Sequence, residues 1–528
     1  MKNSSGWERY QKYLYTNESL GLSLDSSCMN FPEEYLQEMK PRIKEAFAAM
    51  QALENGEPAN PDEKRMVGHY WLRDASRAPS KEIRAEIEQT FEKIKEFGRA
   101  IKAGDLVSAT GQLFTSFLLI GIGGSALGPQ LICDVLGKSG LQASFLDNTD
   151  PDGIDRVLHE LRNHLGETLV IVISKSGGTV ETRNGMLEVQ AFFATKELDF
   201  AKQAVAITTV GSKLDKQAEE EKWLARFYLE DWVGGRTSIT SAVGLLPAVL
   251  QDIEIDAFLQ GARDCDEVTR REEPLQNPAA LMALMWNYAV EKEHKRNMVI
   301  LPYRDSLQLF SHYLQQLVME SLGKEKDLTG KIVQQGLTVY GNKGSTDQHA
   351  YVQQLLDGVN DFFVVFLEVQ QDQRVRPLFI EKDLTSGDYL KAFLEGTRKA
   401  LRNKGRESLT LSLRELTPYT LGVLVALFER TVGLYAALIK LNAYHQPGVE
   451  LGKKCANQYV ELQRQVLQFL RAKRGLAFTP EELAVKLGIP EETEFVYKLL
   501  EQLYLNKYHE IKKQKGASLF TDQYFLSF

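Results

Sequence analysis

Ser174-Lys175-Ser176-Gly177-Gly178-Thr179-Val180-Glu181-Thr182 follows the apolar run 169–173 and precedes a helical pattern. The run reads as a buried parallel strand. A Ser/Gly/Thr turn from strand to helix gathers backbone N–H groups, hydroxyls and the positive helix end around one point, which suits a compact dianion such as phosphate. Gly177 and Gly178 remove the side chains that would block close approach. No G-x-x-x-x-G-K-[ST] pattern occurs, so the phosphate fits a small metabolite better than ATP. An ordinary capped strand–helix turn is the competing reading of these residues.

Five further stretches carry reactive types. Gly121-Ile122-Gly123-Gly124-Ser125 also follows a strand-like run, but its spacing is not the dinucleotide fingerprint G-x-G-x-x-G. The glycines therefore suit backbone approach to a sugar or phosphate rather than to NAD. Arg236, after Gly234-Gly235, could stabilise a developing oxyanion. It could equally be a loop arginine paired with a carboxylate. Glu320 ends the run Gln315-Gln316-Leu317-Val318-Met319. Burial against Val318 and Met319 would suit it to general-base work, whereas a solvated surface charge is the plainer alternative. His349, in Gly344-Ser345-Thr346-Asp347-Gln348-His349, stands near a helix start and could move a proton at an oxygen, or be structural. Lys453 follows the tight turn Gln446-Pro447-Gly448 and could reach a pocket or lie on the surface.

The elements that must hold these residues follow from periodicity. Ile83, Ile87, Phe91, Ile94, Phe97 and Ile101 mark one apolar helix face, and residues 1–105 are expected to be helical. From residue 106 the apolar runs 117–120, 144–146, 169–173, 204–208 and 226–229 alternate with helical stretches, the rhythm of a parallel sheet covered by helices. That block and a helical connection occupy 106–289. A second αβ block, with strands at 298–301, 337–340 and 362–369, occupies 290–446. Residues 447–528 are expected to form a helical tail ending in a basic, strand-like segment. Thr479-Pro480-Glu481-Glu482 there is a capping box, and Gly488 suits a helix end. Helix, helix, strand, strand resembles a winged helix superficially, but packing on the body or on a second subunit is the preferred reading.

Composition bounds the classes. The 528 residues suffice for a large core and two or three domains. A formal charge of −8 argues against general binding to nucleic acid or anionic membranes, so an anionic substrate needs a local basic pocket. Cys28, Cys133, Cys265 and Cys455 are widely spaced, which suggests neither zinc nor a disulfide framework. The first residues carry no apolar signal core, and the apolar stretch 420–441 has Glu429 and Arg430 at its centre, so a buried helix is expected rather than a membrane span. The expected location is cytoplasmic.

Taken together and in order, these motifs resemble the glucose-6-phosphate isomerase family over residues 60–456. The resemblance starts at Arg65-Met66-Val67-Gly68-His69-Tyr70-Trp71-Leu72-Arg73 and runs through G-I-G-G-S, S-K-S-G-G-T, G-G-R-T-S, Q-Q-L-V-M-E-S, G-S-T-D-Q-H and G-V-E-L-G-K. It implies an α/β fold of two parallel-sheet αβα sandwich domains with helical extensions, no cofactor and no metal. It implies reversible conversion of D-glucose 6-phosphate to D-fructose 6-phosphate through a cis-enediolate, as in glycolysis and gluconeogenesis. By motif, Ser174, Lys175, Ser176 and Thr179 would hold the phosphate, with Gly124 and Ser125 lining the same pocket. Glu320 would be the C1–C2 base, Arg236 the enediolate's cation, His349 the ring-opening group and Lys453 a contact to ring oxygens. Gln316 and Gln446 would contact the sugar. The resemblance further implies a homodimer in which His349 enters the neighbouring subunit's site, with no nucleic-acid or membrane partner. The loop departs from the commoner S-K-T-F-T-T, Thr237 stands where an aromatic is usual, and His445 and Pro447 flank Gln446 where Asp and an aromatic are usual. These departures leave room for mannose 6-phosphate as a second substrate. A silent phosphosugar sensor on the same domains, and a nucleic-acid role for Lys512, Lys513 and Lys515, compete with the isomerase reading.

Overall fold

In the first αβ block, alternate residues of the three central apolar strands face opposite cores, as a pleated strand buried on both sides requires. The computed structural model describes residues 6–137, 139–372 and 376–527. Strands Ser116–Ile120, Gln142–Leu146, Thr168–Ile173, Ala204–Thr208 and Ala225–Tyr228 are all parallel. Numbered along the chain, their spatial order is 2-1-3-4-5. Phe117, Leu119, Leu169 and Ile171 pack with helix Lys81–Ala103 and helix Gly124–Leu136. Leu118, Ile120, Val170 and Val172 pack with helices Pro151–Leu161 and Val180–Thr195. The order reverses between Ser116–Ile120 and Thr168–Ile173, and ligands bind at such a switch point beyond the strands' carboxyl ends. The glycine cluster 121–124 and the loop 174–179 both leave from there.

The second sheet repeats the plan. Asn297–Pro302, Thr338–Tyr340, Phe362–Val369 and Ser408–Leu413 run parallel in the order 2-1-3-4. One face joins the same large core as the first sheet. The other, with Val299, Leu301, Val364 and Phe366, packs on Leu394 and Leu401 of helix Ser386–Asn403. Both sheets belong to one compact unit that ends at His445.

Two expectations are corrected. Residues 1–105 are not helical throughout: Leu14–Asn17 and Leu22–Cys28 form an antiparallel hairpin whose second strand pairs with Ser408–Leu413. Those strands cover an edge that would otherwise present unpaired backbone groups. Residues 447–528 carry the expected helices and strand-like end, but as a unit of their own rather than a helical extension. Residues 446–528 form a separate unit of helices Pro447–Ala472, Pro480–Lys486 and Thr493–Leu505 with a hairpin of Ile511–Gln514 and Gln523–Leu526. It has its own core, including Leu462, Val466, Leu483, Val496, Leu500 and Tyr524. The Thr479/Glu482 capping box is formed, and Gly488 takes the left-handed conformation (φ 76°) after the helix.

Helix Pro418–Leu438 is, among the described residues, the one helix long and apolar enough to cross a membrane, yet it is almost wholly buried within the fold. Its central charges are paired: Glu429 with Arg73, and Arg430 with Glu54. Arg73 also holds Asp266 at 2.8 Å, and Tyr313 Oη donates to Glu429 at 2.9 Å. Buried charges persist only when matched in this way.

Candidate active site

The loop 174–179 is shaped by its own polar groups. Ser174 is buried, and its Oγ donates to Thr179 Oγ1 at 3.1 Å. Thr208 Oγ1 donates to Ser174 O at 2.6 Å, and Gly178 N to Ser176 Oγ at 3.2 Å. Gly177 has φ 64°, and a Cβ there would meet Leu214 N at 2.4 Å, so only glycine fits. Thr179 is the N-cap of helix Val180–Thr195, but its side chain caps none of the first N–H groups. Those donors remain free to receive an anion.

Lys175 does not point its charge at that loop. Its Nζ donates to Asp231 O at 2.7 Å and Val233 O at 2.8 Å, and burial lowers its pKa. It lines a cavity of about 60 Å³ with Asp231, Arg236, Ser321 and Tyr444.

Close backbone contacts bring the motifs together. A Cβ on Gly124 would lie 2.0 Å from Gly235 O, and one on Gly123 would lie 3.1 Å from Gln316 Nε2. The glycine cluster thus touches the Arg236 turn on one side and the Glu320 helix on the other. Ser125 lies in the first turn of helix Gly124–Leu136.

Arg236 belongs to the 3-10 turn Gly235–Thr240 and is buried. It donates to Ala443 O at 2.7 Å, Ser321 Oγ at 3.2 Å and His445 O at 3.4 Å. Its Nε stands 3.6 Å from Glu320 Oε2. Burial lowers its pKa, and Glu320 opposes that shift. The strap 442–445 that supplies those carbonyls is itself tied down, because Asn442 Nδ2 donates to Asn60 Oδ1 at 3.0 Å.

Glu320 ends a π-helical turn, Gln315–Glu320, and Gln316 Nε2 lies 3.5 Å from its Oε2. A π turn inside a helix is often found at functional sites. The expected burial between Val318 and Met319 is only half met. Val318 is buried, but Met319 turns outward at 39% exposure and the Glu320 side chain keeps 30%. Lys324, four residues on, donates to Glu320 O and, at 3.1 Å, to His445 O. Nothing in the sequence singles it out beyond that i+4 spacing. Ser321 and Ala443, which also hold Arg236, carry no chemical signature in the sequence.

His349 is exposed at the end of the 3-10 turn Thr346–His349. Asp347 organises that loop by accepting from Asn342 N, Lys343 N and Tyr351 Oη. No contact between His349 and Arg236 or Glu320 occurs within the chain's described residues. Gln446 and Lys453 belong to the unit 446–528, where Lys453 is exposed and pairs with Glu450 at 2.8 Å. The structure therefore brings together Gly124, Arg236, Gln316 and Glu320, with the Ser174–Thr179 loop at the same switch point.

The sequence model of the phosphoglucose isomerase family matches residues 27–392 and 397–469. The chain is 54% identical over 521 residues to a glucose-6-phosphate isomerase of Geotalea daltonii, covering 98% of each chain. It is 55% identical over 516 residues to that of Geobacter sulfurreducens, covering 97% of each. Among solved structures, a glucose-6-phosphate isomerase from Chlamydia trachomatis superposes with a TM-score of 0.79 at 26% identity, over 88% of this chain and 94% of that one. A hypothetical protein from Thermus thermophilus gives 0.70 at 29% identity, over 83% and 99%. A buried arginine beside a partly exposed glutamate, framed by a glycine cluster and a Ser/Thr loop, is thus carried by a chain matched over most of its length, and the chain belongs to the phosphoglucose isomerase family.

Proposed function

We propose that this chain interconverts D-glucose 6-phosphate and D-fructose 6-phosphate, as in glycolysis and gluconeogenesis, by moving one proton between C1 and C2. The observation that carries the residue assignment is the 3.6 Å approach of Glu320 to the buried Arg236. Glu320 is the base: it takes the proton from C2 of the opened aldose and returns it to C1. The electron pair passes to the carbonyl oxygen O1, and Arg236, a buried cation already fixed by three acceptors, stabilises the enediolate; as C1 takes the proton back, the hydroxyl proton of O2 passes to O1 and leaves the ketone at C2. Ser174, Ser176, Thr179 and the free N–H groups of helix Val180–Thr195 hold the phosphate. Gly124 and Ser125 border it, and Gln316 contacts the sugar. Binding the remote phosphate positions the reacting carbons.

His349 assists ring opening from a second subunit. Its exposure supports a homodimer with shared sites. The four cysteines are free and three are buried, which fits a reducing, cytoplasmic compartment.

The test is turnover of fructose 6-phosphate, followed through an NADP-dependent glucose-6-phosphate dehydrogenase. Glu320→Gln is expected to lose about 10²–10⁴ in kcat with sugar-phosphate binding retained. Full activity in that variant would remove Glu320 as the base, and no turnover by the intact protein would remove the assignment altogether.

A further inference from the structure

Lys324 is a buried lysine for which isomerisation as described has no use. It is 6% exposed. It opens the short strand Lys324–Lys326, which pairs with Ile332–Gln335. A buried ammonium costs free energy unless its donors are matched, so its partners show what it is held for. Both hydrogen-bond acceptors of its ammonium belong to the site. One is the main-chain carbonyl of Glu320, which closes the π turn. The other is His445 O, at the end of the strap that also accepts from Arg236.

We propose that Lys324 is a positioning residue for the isomerisation: its ammonium locks the Glu320 turn to the strap 442–445 and adds a second fixed positive charge beside the Glu320–Arg236 pair. The inference rests on the reading of Glu320 and Arg236 given above. The geometry makes the lock specific. Arg236 grips the strap through Ala443 and His445, and Lys324 grips the same strap while holding the base's own backbone. Loosening Lys324 therefore shifts the base relative to the cation that must receive the electron pair. A misplacement near 1 Å is enough to cost about 10²-fold in rate.

The charge has a second consequence. The charged groups facing Lys324 are Arg236, Glu320, Asp62 and, when protonated, His445. Burial and Arg236 disfavour its ammonium, Glu320 and Asp62 favour it, and the balance brings its pKa down to about 8. His445, held below its usual range mainly by burial and then by Lys324, stays neutral across this interval. The Lys324 charge is present below about pH 8 and lost above it. The enediolate's stabilisation, and with it kcat, is expected to fall as pH rises through that value.

The experiment compares wild type, Lys324→Met, Lys324→Arg and Glu320→Gln in kcat, KM and the pH profile of kcat, with a thermal melt for each. Lys324→Met is expected to lose about 10–100-fold in kcat with KM changed less than about threefold, and to lack the alkaline limb near pH 8. Lys324→Arg keeps a charge at every accessible pH. It should recover most of kcat and move the limb beyond about pH 10. Wild-type kcat in Lys324→Met, or an unchanged alkaline limb in Lys324→Arg, overturns the proposal. If Lys324→Met does not fold, the Lys324→Arg profile decides alone. An inactive wild type, or an active Glu320→Gln, would instead sink the functional reading beneath it.

Discussion

Arg236 illustrates how a single side chain is committed before substrate arrives. Its guanidinium meets Ala443 O, Ser321 Oγ and His445 O, which leaves its Nε edge toward Glu320. A planar fork with several fixed donors can do this, and a single ammonium cannot. Arg236→Lys is therefore expected to keep the positive charge and still lose about 10²–10³ in kcat, the range seen when a preorganised oxyanion donor is removed, with little change in KM. Steady-state kinetics on the folded variant decide this, and wild-type kcat would mean that charge alone suffices. At this scale the sequence is legible where chemistry and turn type coincide. Gly234-Gly235 announces a close approach, and Glu320 and Arg236 carry reactive groups. The partners of Arg236 are not legible, because two of them are main-chain carbonyls on a strap about 200 residues away and a carbonyl has no signature in sequence. Lys175 shows the opposite failure: its place in the phosphate-loop motif suggests an anion contact, but the carbonyls of Asp231 and Val233 are closer partners.

Among the elements, the short link from strand to helix does most of the positioning. Gly124 begins helix Gly124–Leu136 with its Cα against the Gly235 peptide, and a methyl there would stand 2.0 Å from Gly235 O and 2.4 Å from its carbonyl carbon. These are backbone atoms and cannot rotate aside, so Gly124→Ala must push the Arg236 turn away from the switch point. The expected result is a loss of about 10²-fold or more in kcat/KM, with about 1–3 kcal/mol of stability lost to overpacking. Kinetics and a thermal melt on the same preparation check it, and an unaffected kcat/KM would show that the turn has slack. Strand rhythm makes the first sheet and most of the second legible, because strands buried on both faces stand out as continuous apolar runs. Strand Ser408–Leu413 escapes that rhythm although Leu409, Leu411 and Leu413 alternate with small polar residues. All six residues are buried, so the polar alternation does not mark a solvent face. The N-terminal hairpin is hidden for a different reason: what stabilises Leu22–Cys28 is pairing with a strand almost 400 residues later, and local propensity does not report such a partner.

For the whole molecule, the distribution of reactive groups is the informative fact. Arg236, Glu320 and Gln316 meet inside one chain, whereas His349 sits exposed on a loop beyond the second sheet. Asp347 and Tyr351 tie that loop down through hydrogen bonds, and the histidine at its end is exposed. A second subunit would use such a histidine without ordering cost. The consequence can be tested by complementation. Glu320→Gln and His349→Ala are each expected to be impaired on their own. In a randomly mixed population, half the dimers carry one copy of each. If the sites are shared across the two-fold axis, one site in each mixed dimer has Glu320 and His349 both intact, and activity per subunit recovers to about a quarter of wild type. If His349 serves the site of its own chain, every site in the mixed dimer lacks one of the two residues and nothing is recovered. Co-expression of differently tagged copies, purification through both tags and the same coupled assay distinguish the outcomes. Recovery in the doubly tagged fraction, and in neither parent, would make the dimer part of the catalytic machinery; its absence there would return His349 to a surface role and leave Glu320 and Arg236 to carry the reaction within one subunit.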